Sequence, residues 1–185
     1  HCIFEYASAM DPDEHHGGAI EIYDHSSPEI ISNCLFQYNY ASAQGGAISI
    51  HWASTQIVNN EFMHNISNEG GAIHTSSTSS ALLKDNNIHH NQAWTWGGGI
   101  YSSGAAIIEH NRVAYNDAGN HGGGIYCRKS KARVIAHIIH NNRFGGLAVK
   151  NADPFIASNI IVNNAADAPL GAWDVMREGA GIFID

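Results

Sequence analysis

Charge is the first scarcity in this chain of 185 residues. Asp, Glu, Lys and Arg make up only 14% of it, while 44% of the residues are hydrophobic. A disordered segment has the opposite balance. Basic residues are scarcer still: nine Lys and Arg stand against seventeen Asp and Glu, for a formal net charge of −8. This argues against nucleic acid as the main partner, because phosphate binding draws on a basic face. No apolar run approaches the roughly 18 residues that a membrane-spanning helix needs. Only three cysteines occur, Cys2, Cys34 and Cys127, and none forms a C-x-x-C pair. Three thiols cannot all pair within one chain, so cysteine usage leaves the redox compartment open. Leucine is also rare, with five copies and no L-x-x-L-x-L frame, which excludes a leucine-rich repeat.

What the chain has instead is a period. The sequence Gly-Gly-Ala/Gly-Ile occurs at Gly17-Gly18-Ala19-Ile20, Gly45-Gly46-Ala47-Ile48, Gly70-Gly71-Ala72-Ile73, Gly97-Gly98-Gly99-Ile100 and Gly122-Gly123-Gly124-Ile125, at intervals of 28, 25, 27 and 25 residues. Degenerate copies follow at Gly145-Gly146-Leu147 and Gly179-Ala180-Gly181-Ile182. Between them runs N-x-Φ-x-x-N, with Φ apolar: Asn60-Phe62-Asn65, Asn86-Ile88-Asn91, Asn111-Val113-Asn116 and Asn159-Ile161-Asn164. Cys34-Phe36-Asn39 and His137-Ile139-Asn142 keep the same frame, and Cys2-Phe4-Ala7 opens the chain. Two motifs sharing a period near 25 residues define a repeat architecture.

The apolar positions alternate, as in Ile20 and Ile22 or Ile48 and Ile50, and do not recur at helical spacing. Paired glycines and β-branched residues also disfavour helix. A hexapeptide subperiod is missing, as is the Asp that calcium-binding nonapeptide repeats place after Gly-Gly-x-Gly. The pattern therefore predicts an all-β, right-handed parallel β-helix, a β-solenoid with about 25 residues per coil, three strands per coil and six to seven coils. The right hand follows from the strong bias of parallel crossovers. Residues 1–185 read as a single domain, expected to be a piece of a longer solenoid.

Stacking converts sequence columns into ladders about 4.8 Å per step. Phe4, Phe36, Phe62, Ile88, Val113, Ile139 and Ile161 are expected to stack in the core. Asn60, Asn86 and Asn111 are expected to form an inward amide ladder, a structural role and not a ligand set. The glycine pairs relieve a tight corner; no helix follows them, so they do not cradle phosphate.

Phe36-Gln37-Tyr38-Asn39 with Gly45-Gly46-Ala47-Ile48, and Phe62-Met63-His64-Asn65 with Gly70-Gly71-Ala72-Ile73, resemble the passenger repeats of polymorphic outer-membrane proteins, bacterial autotransporter adhesins. Later copies replace Phe by Ile or Val and resemble the wider pectate-lyase-like superfamily. The resemblance spans residues 1–164. It implies the β-helix fold and an extracellular or cell-surface location. It leaves function broad, since that superfamily holds adhesins, polysaccharide lyases, glycosidases, epimerases and structural spacers.

Candidate chemistry sits on the outward side of the Gly-Gly strands. One outward column is Glu21, Ser49, His74, Tyr101 and Tyr126; the next is Tyr23, His51, Ser76, Ser103 and Arg128. Together they are expected to form a solvent-facing strip of aromatic and polar groups, able to stack on and hydrogen-bond a glycan, or else to be an ordinary sheet face. Trp94, Trp96 and Trp173 lie in segments feeding that strand, where loop variation builds binding sites. The expected ligand-binding residues are therefore His74, Trp94, Trp96, Tyr101, Tyr126, Arg128 and Trp173. Arg128, Lys129, Lys131 and Arg133 crowd one coil, as a site for an acidic sugar, the Lys/Arg pair of a lyase, or a solvated turn.

The loop Asp11-Pro12-Asp13-Glu14-His15-His16 offers Asp11, Asp13 and Glu14 to a divalent cation such as Ca²⁺, or is a plain acidic surface loop. His64 and His90 fall in a column with Tyr6, Tyr38 and Tyr115, which reads as an aromatic ladder and not a zinc site. Cys2 and Cys34 share a column, a spacing open to a disulfide or to two thiols packed as small apolar groups. The favoured reading is a non-catalytic, adhesin-like surface module with a polysaccharide or cell-surface glycan as partner. The competing one is a polysaccharide-active enzyme working on an acidic polysaccharide. No cluster of two or three carboxylates marks adjacent coils of the strip, which weighs against the enzyme.

Overall fold

The computed structural model describes residues 2–10, 16–23, 29–166 and 180–185. Every strand pairing in it is parallel, and equivalent segments of successive repeats lie side by side. The strands form four sheets. Sheet 1 holds the N-x-Φ-x-x-N segments: Ile3–Glu5, Leu35–Gln37, Glu61–Met63, Asn87–His89, Arg112–Ala114, Ile138–His140 and Ile160–Val162. Sheet 2 is short: Ser8–Ala9, Tyr40–Ala41, Ile66–Glu69, Gln92–Trp96 and Asp117–Ala118. Sheet 3 holds the segments after Gly-Gly: Ile20–Tyr23, Ile48–His51, Ile73–Thr75, Ile100–Ser102, Ile125–Arg128, Leu147–Lys150 and Ile182–Ile184. Sheet 4 runs Ile30–Ser32, Gln56–Val58, Leu82–Lys84, Ile107–Glu109, Arg133–Ile135 and Phe155–Ala157. The described strands make five coils that contribute to all four sheets and two partial coils.

The period predicts three strands per coil, and the structure has a fourth. Sheet 2 arises because backbone groups of the segment between the two motifs also find coil-to-coil partners: Tyr40 N–H donates to Ala7 O at 2.9 Å and Ile66 N–H to Asn39 O at 2.9 Å. A backbone N–H left unpaired there would cost a lost hydrogen bond.

The apolar column is as expected. Phe4 pairs with Phe36, then Phe62, Ile88, Val113, Ile139 and Ile161 follow in unbroken register. Phe4, Phe36 and Phe62 stack nearly parallel, with ring centroids 4.7 and 4.8 Å apart. Ile48, Ile73, Ile100, Ile125 and Leu147 from sheet 3, and Ile57, Leu83, Ile108 and Val134 from sheet 4, close the same core.

Two polar ladders line this core. Asn60, Asn86 and Asn111 are buried as expected. Asn86 Nδ2–H donates to Asn111 Oδ1 at 3.0 Å and to Ile57 O at 2.8 Å, and its Oδ1 accepts the Asn60 backbone N–H at 2.9 Å. A second ladder stands at the end of the motif, where Asn39, Asn65, Asn91, Asn116, Asn142 and Asn164 repeat the pattern. The residue just before each ladder position bends with positive φ, for example His64 at 56° and Asp85 at 52°. That conformation strains an ordinary side chain. The amide bonds fix the corner against the strain, which is why Asn recurs there with so little variation.

The same corners carry the aromatic ladder. Tyr6, Tyr38, His64, His90 and Tyr115 follow one another with ring centroids 5.0 to 5.4 Å apart. At the opposite corner, Gly70 has φ +67°, and a Cβ on Gly71 would run into the backbone of the next coil. One glycine supplies the turn and the other the close approach.

Candidate functional site

Over its middle coils the outward face of sheet 3 is not the solvent-facing strip that alternation predicts, although Glu21 and Tyr23 in its first strand are exposed. Ser49, His74, Tyr101 and Tyr126 do point away from the core, yet they are 0%, 3%, 4% and 1% exposed. The cause is a second rank of side chains standing over them. Residues immediately before each Gly-Gly pair form their own coil-to-coil column: His16, Gln44, Glu69, Trp96 and His121. On the other side rise Trp52 and the turn at Ser76, Ser77 and Thr78. Between the two lies a groove of about 450 Å³, lined also by His51, His74, Tyr101, Ser103 and Arg128. That is within the usual size range of small-ligand sites.

The floor of the groove is a bonded array. The Ser49 hydroxyl meets His51 Nε2 at 2.8 Å and His74 Nδ1 at 3.4 Å. The His74 ring stacks on Tyr101 at 5.1 Å. Burial, then the neighbouring His51 and His16, hold His74 well below its ordinary pKa. Burial and His16 bring His51 down to about 4. Both rings are therefore neutral near neutral pH, each with one donor and one acceptor nitrogen. Burial, then the Glu69 carboxylate, raises the Tyr101 hydroxyl, while a hydrogen bond from Arg128 works the other way. The Arg128 guanidinium also lies over the Trp96 ring, 5.7 Å from its centroid. On the wall, Gln44 Nε2–H donates to Glu69 Oε2 at 3.0 Å. Trp52, 46% exposed, meets the Tyr23 ring edge-on at 4.7 Å.

The structure sorts the expected residues. His74, Tyr101 and Arg128 line the groove. Tyr126 lies beneath it, stacked with Trp96 at 6.0 Å and His121 at 6.4 Å. Trp96 packs on the Tyr101–Tyr126–Ala148 cluster, so it serves the floor. Trp94 is not brought to this face. It is 50% exposed and sits 5.8 Å from Tyr40; two residues apart on a regular strand it would share a side with Trp96, but the register slips between the pairs Ser67–Ala93 and Glu69–Trp96, and this irregularity parts the two rings. The basic residues of one coil are also parted: Arg128 belongs to sheet 3, whereas Arg133 is on sheet 4 over the Phe155 ring at 4.9 Å. Trp173, and the proposed cation ligands Asp11, Asp13 and Glu14, lie outside the described residues.

Gln44, Glu69, Trp52, Ser77 and Thr78 are site residues that motif reading missed, whereas Ser76 and Ser103 stood in the expected outward column. A signal existed for the first two, since each immediately precedes a Gly-Gly pair and so shares a column. Among the described residues, no three His, Cys, Asp or Glu side chains converge to hold a metal ion. Nor is any helix among them long and apolar enough to cross a membrane.

A fully parallel four-sheet coil with inward Asn ladders defines a β-helix repeat protein. The family model for the right-handed β-helix region matches residues 71–185, more than half of the chain, and the chain belongs to that family. Residues 33–51 match the Chlamydia polymorphic membrane protein repeat, to which this segment is similar. No curated protein and no solved structure matches the chain.

Proposed function

We propose that the chain is a non-catalytic, adhesin-like module of an extracellular or cell-surface protein, and that it binds glycan in the groove over sheet 3. The observation that carries this reading is the groove itself, with a half-exposed Trp52 on one wall, Glu69 and Gln44 on the other, and Tyr101, His74 and Arg128 between them. Aromatic faces beside polar side chains suit a sugar, which has an apolar C–H face and a hydroxyl rim. The likeness of residues 33–51 to a membrane-protein repeat supports the surface location. An immobilised glycan array tests the reading: wild-type protein should bind a restricted set, and Trp52→Ala should lose it. Uniform absence of binding by folded protein sinks the proposal.

One observation favours the competing reading of a polysaccharide-active enzyme. Tyr101, hydrogen-bonded to Arg128 and stacked on His74, is a grouping able to move a proton. Against it, Glu69 is the single carboxylate that the described residues bring to the lining, where paired carboxylates usually act. Cleavage products after prolonged incubation of the bound glycans would decide for the enzyme.

A further inference from the structure

We infer that the groove over sheet 3 takes a neutral, hydroxyl-rich sugar and not a uronate or sulfated one. This rests on the glycan-binding reading and narrows it. Among the described residues, the charged groups that line the groove are Glu69 and Arg128, one of each sign. Arg128 is already committed. Its guanidinium bonds the Tyr101 hydroxyl, lies over Trp96, and feels the Glu69 carboxylate. The two floor imidazoles add no positive charge near neutral pH, because burial keeps both unprotonated.

An anionic sugar would therefore find one described cation, Arg128, already bonded to Tyr101 and within the field of Glu69, and would meet that carboxylate on the wall. The chain's net charge of −8 adds long-range repulsion. The rest of the lining suits hydroxyls. Ser76, Ser77, Thr78, Ser103 and Tyr101 carry hydroxyls, and Gln44 carries an amide. All of these both donate and accept, as a sugar hydroxyl does. Glu69 can accept from two adjacent hydroxyls, and a carboxylate acceptor gives the stronger, charge-assisted bond. Trp52 offers a ring to the apolar face of the same sugar unit.

The test is titration calorimetry of the 185-residue chain with three sets of probes: neutral oligosaccharides ending in glucose, galactose or fucose, uronate-containing oligosaccharides, and sulfated ones, each at low and high salt. Neutral probes should bind with affinity nearly independent of salt. Glu69→Gln, which keeps an amide able to bond Gln44, should weaken that binding roughly tenfold while its thermal melt overlays the wild type. Trp52→Phe should retain more affinity than Trp52→Ala. Binding confined to uronate or sulfated probes, falling steeply with salt, overturns this inference and leaves glycan binding standing. Binding of neutral probes unaffected by Glu69→Gln and Trp52→Ala removes the groove as the site. Binding of no probe overturns both readings.

Discussion

The Nδ1 atom of His137 accepts the backbone N–H of Asn111 at 3.0 Å, in the ladder position where other coils use an asparagine oxygen. Its other nitrogen lies 2.9 Å from Ile108 O, as the Asn111 amide lies 2.8 Å from Leu83 O. A neutral imidazole with its proton on Nε2 thus replaces a carboxamide, acceptor on one side and donor on the other. Protonation would put a second N–H against the Asn111 donor. Burial brings His137 down to about 4, against the pull of its two backbone bonds.

Acid sensitivity follows, with a definite sign. The folded pKa lies below the ordinary 6.5, so the unfolded chain takes up the proton first. The contribution is fully present above pH 6.5, is lost as pH falls toward about 4, and levels off below that. It amounts to about 3 kcal/mol for this residue. Urea titrations across that window should show wild type losing stability faster than His137→Asn, which restores the amide. His51 and His74 add to the loss in both proteins, so the difference between them isolates His137. Parallel pH curves would remove the imidazole from the account.

Phe62 is fully buried between Phe36 and Ile88. Phe62→Ala should cost about 3–5 kcal/mol, through lost burial and the cavity left in a stack that cannot collapse along its axis. Chemical denaturation with matched m-values measures it, and a loss below about 1 kcal/mol would contradict the stacked core.

Asn91 and Asn87 are four residues apart and should respond oppositely to Leu. Asn91 donates to Phe62 O, His89 O and Asn116 Oδ1, and accepts the Asn65 N–H. Asn91→Leu orphans several buried groups and should cost at least about 3 kcal/mol. Asn87 points outward, bonded to Glu61 and Arg112. Asn87→Leu should stay within about 0.5 kcal/mol of wild type. Thermal melts of the two variants check the contrast.

The thiols should separate by reactivity. Cys127 is fully buried, and burial pushes it up to about 12, so little thiolate exists at neutral pH. Cys2 is exposed and Cys34 partly so, and both are free. Iodoacetamide on native protein should label Cys2 first and leave Cys127 unmodified until denaturant is added. Mass spectrometry of the digested protein reads the order.

The core was legible because stacking turns a period into a column: Phe36 and Phe62 sit 26 residues apart and touch. The fourth sheet was not, since strands as short as Tyr40–Ala41 and Asp117–Ala118 have no room for alternation. The groove was half legible. His74, Tyr101 and Arg128 follow from counting outward positions along sheet 3. The burial of His74 and Tyr101 depends on Glu69, Trp96 and Trp52, which stand on other segments and cover them through space, and no spacing rule reports that. Trp94 and Trp96 look equivalent in sequence, two residues apart and so on one face of a regular strand; the register irregularity between the pairs Ser67–Ala93 and Glu69–Trp96, with the packing of Trp96 on Tyr126, parts them.

Every sheet pairs a coil only with the one before and the one after it. A lesion in such a stack propagates by steps along the axis, not by distance through space. A substitution at Ile88 should loosen the coils of Phe62 and Val113 first, and amide hydrogen exchange should report protection that decays rung by rung from the damaged position. The chain behaves in this respect as a one-dimensional material, in which one weakened layer sets the place where the whole rod parts.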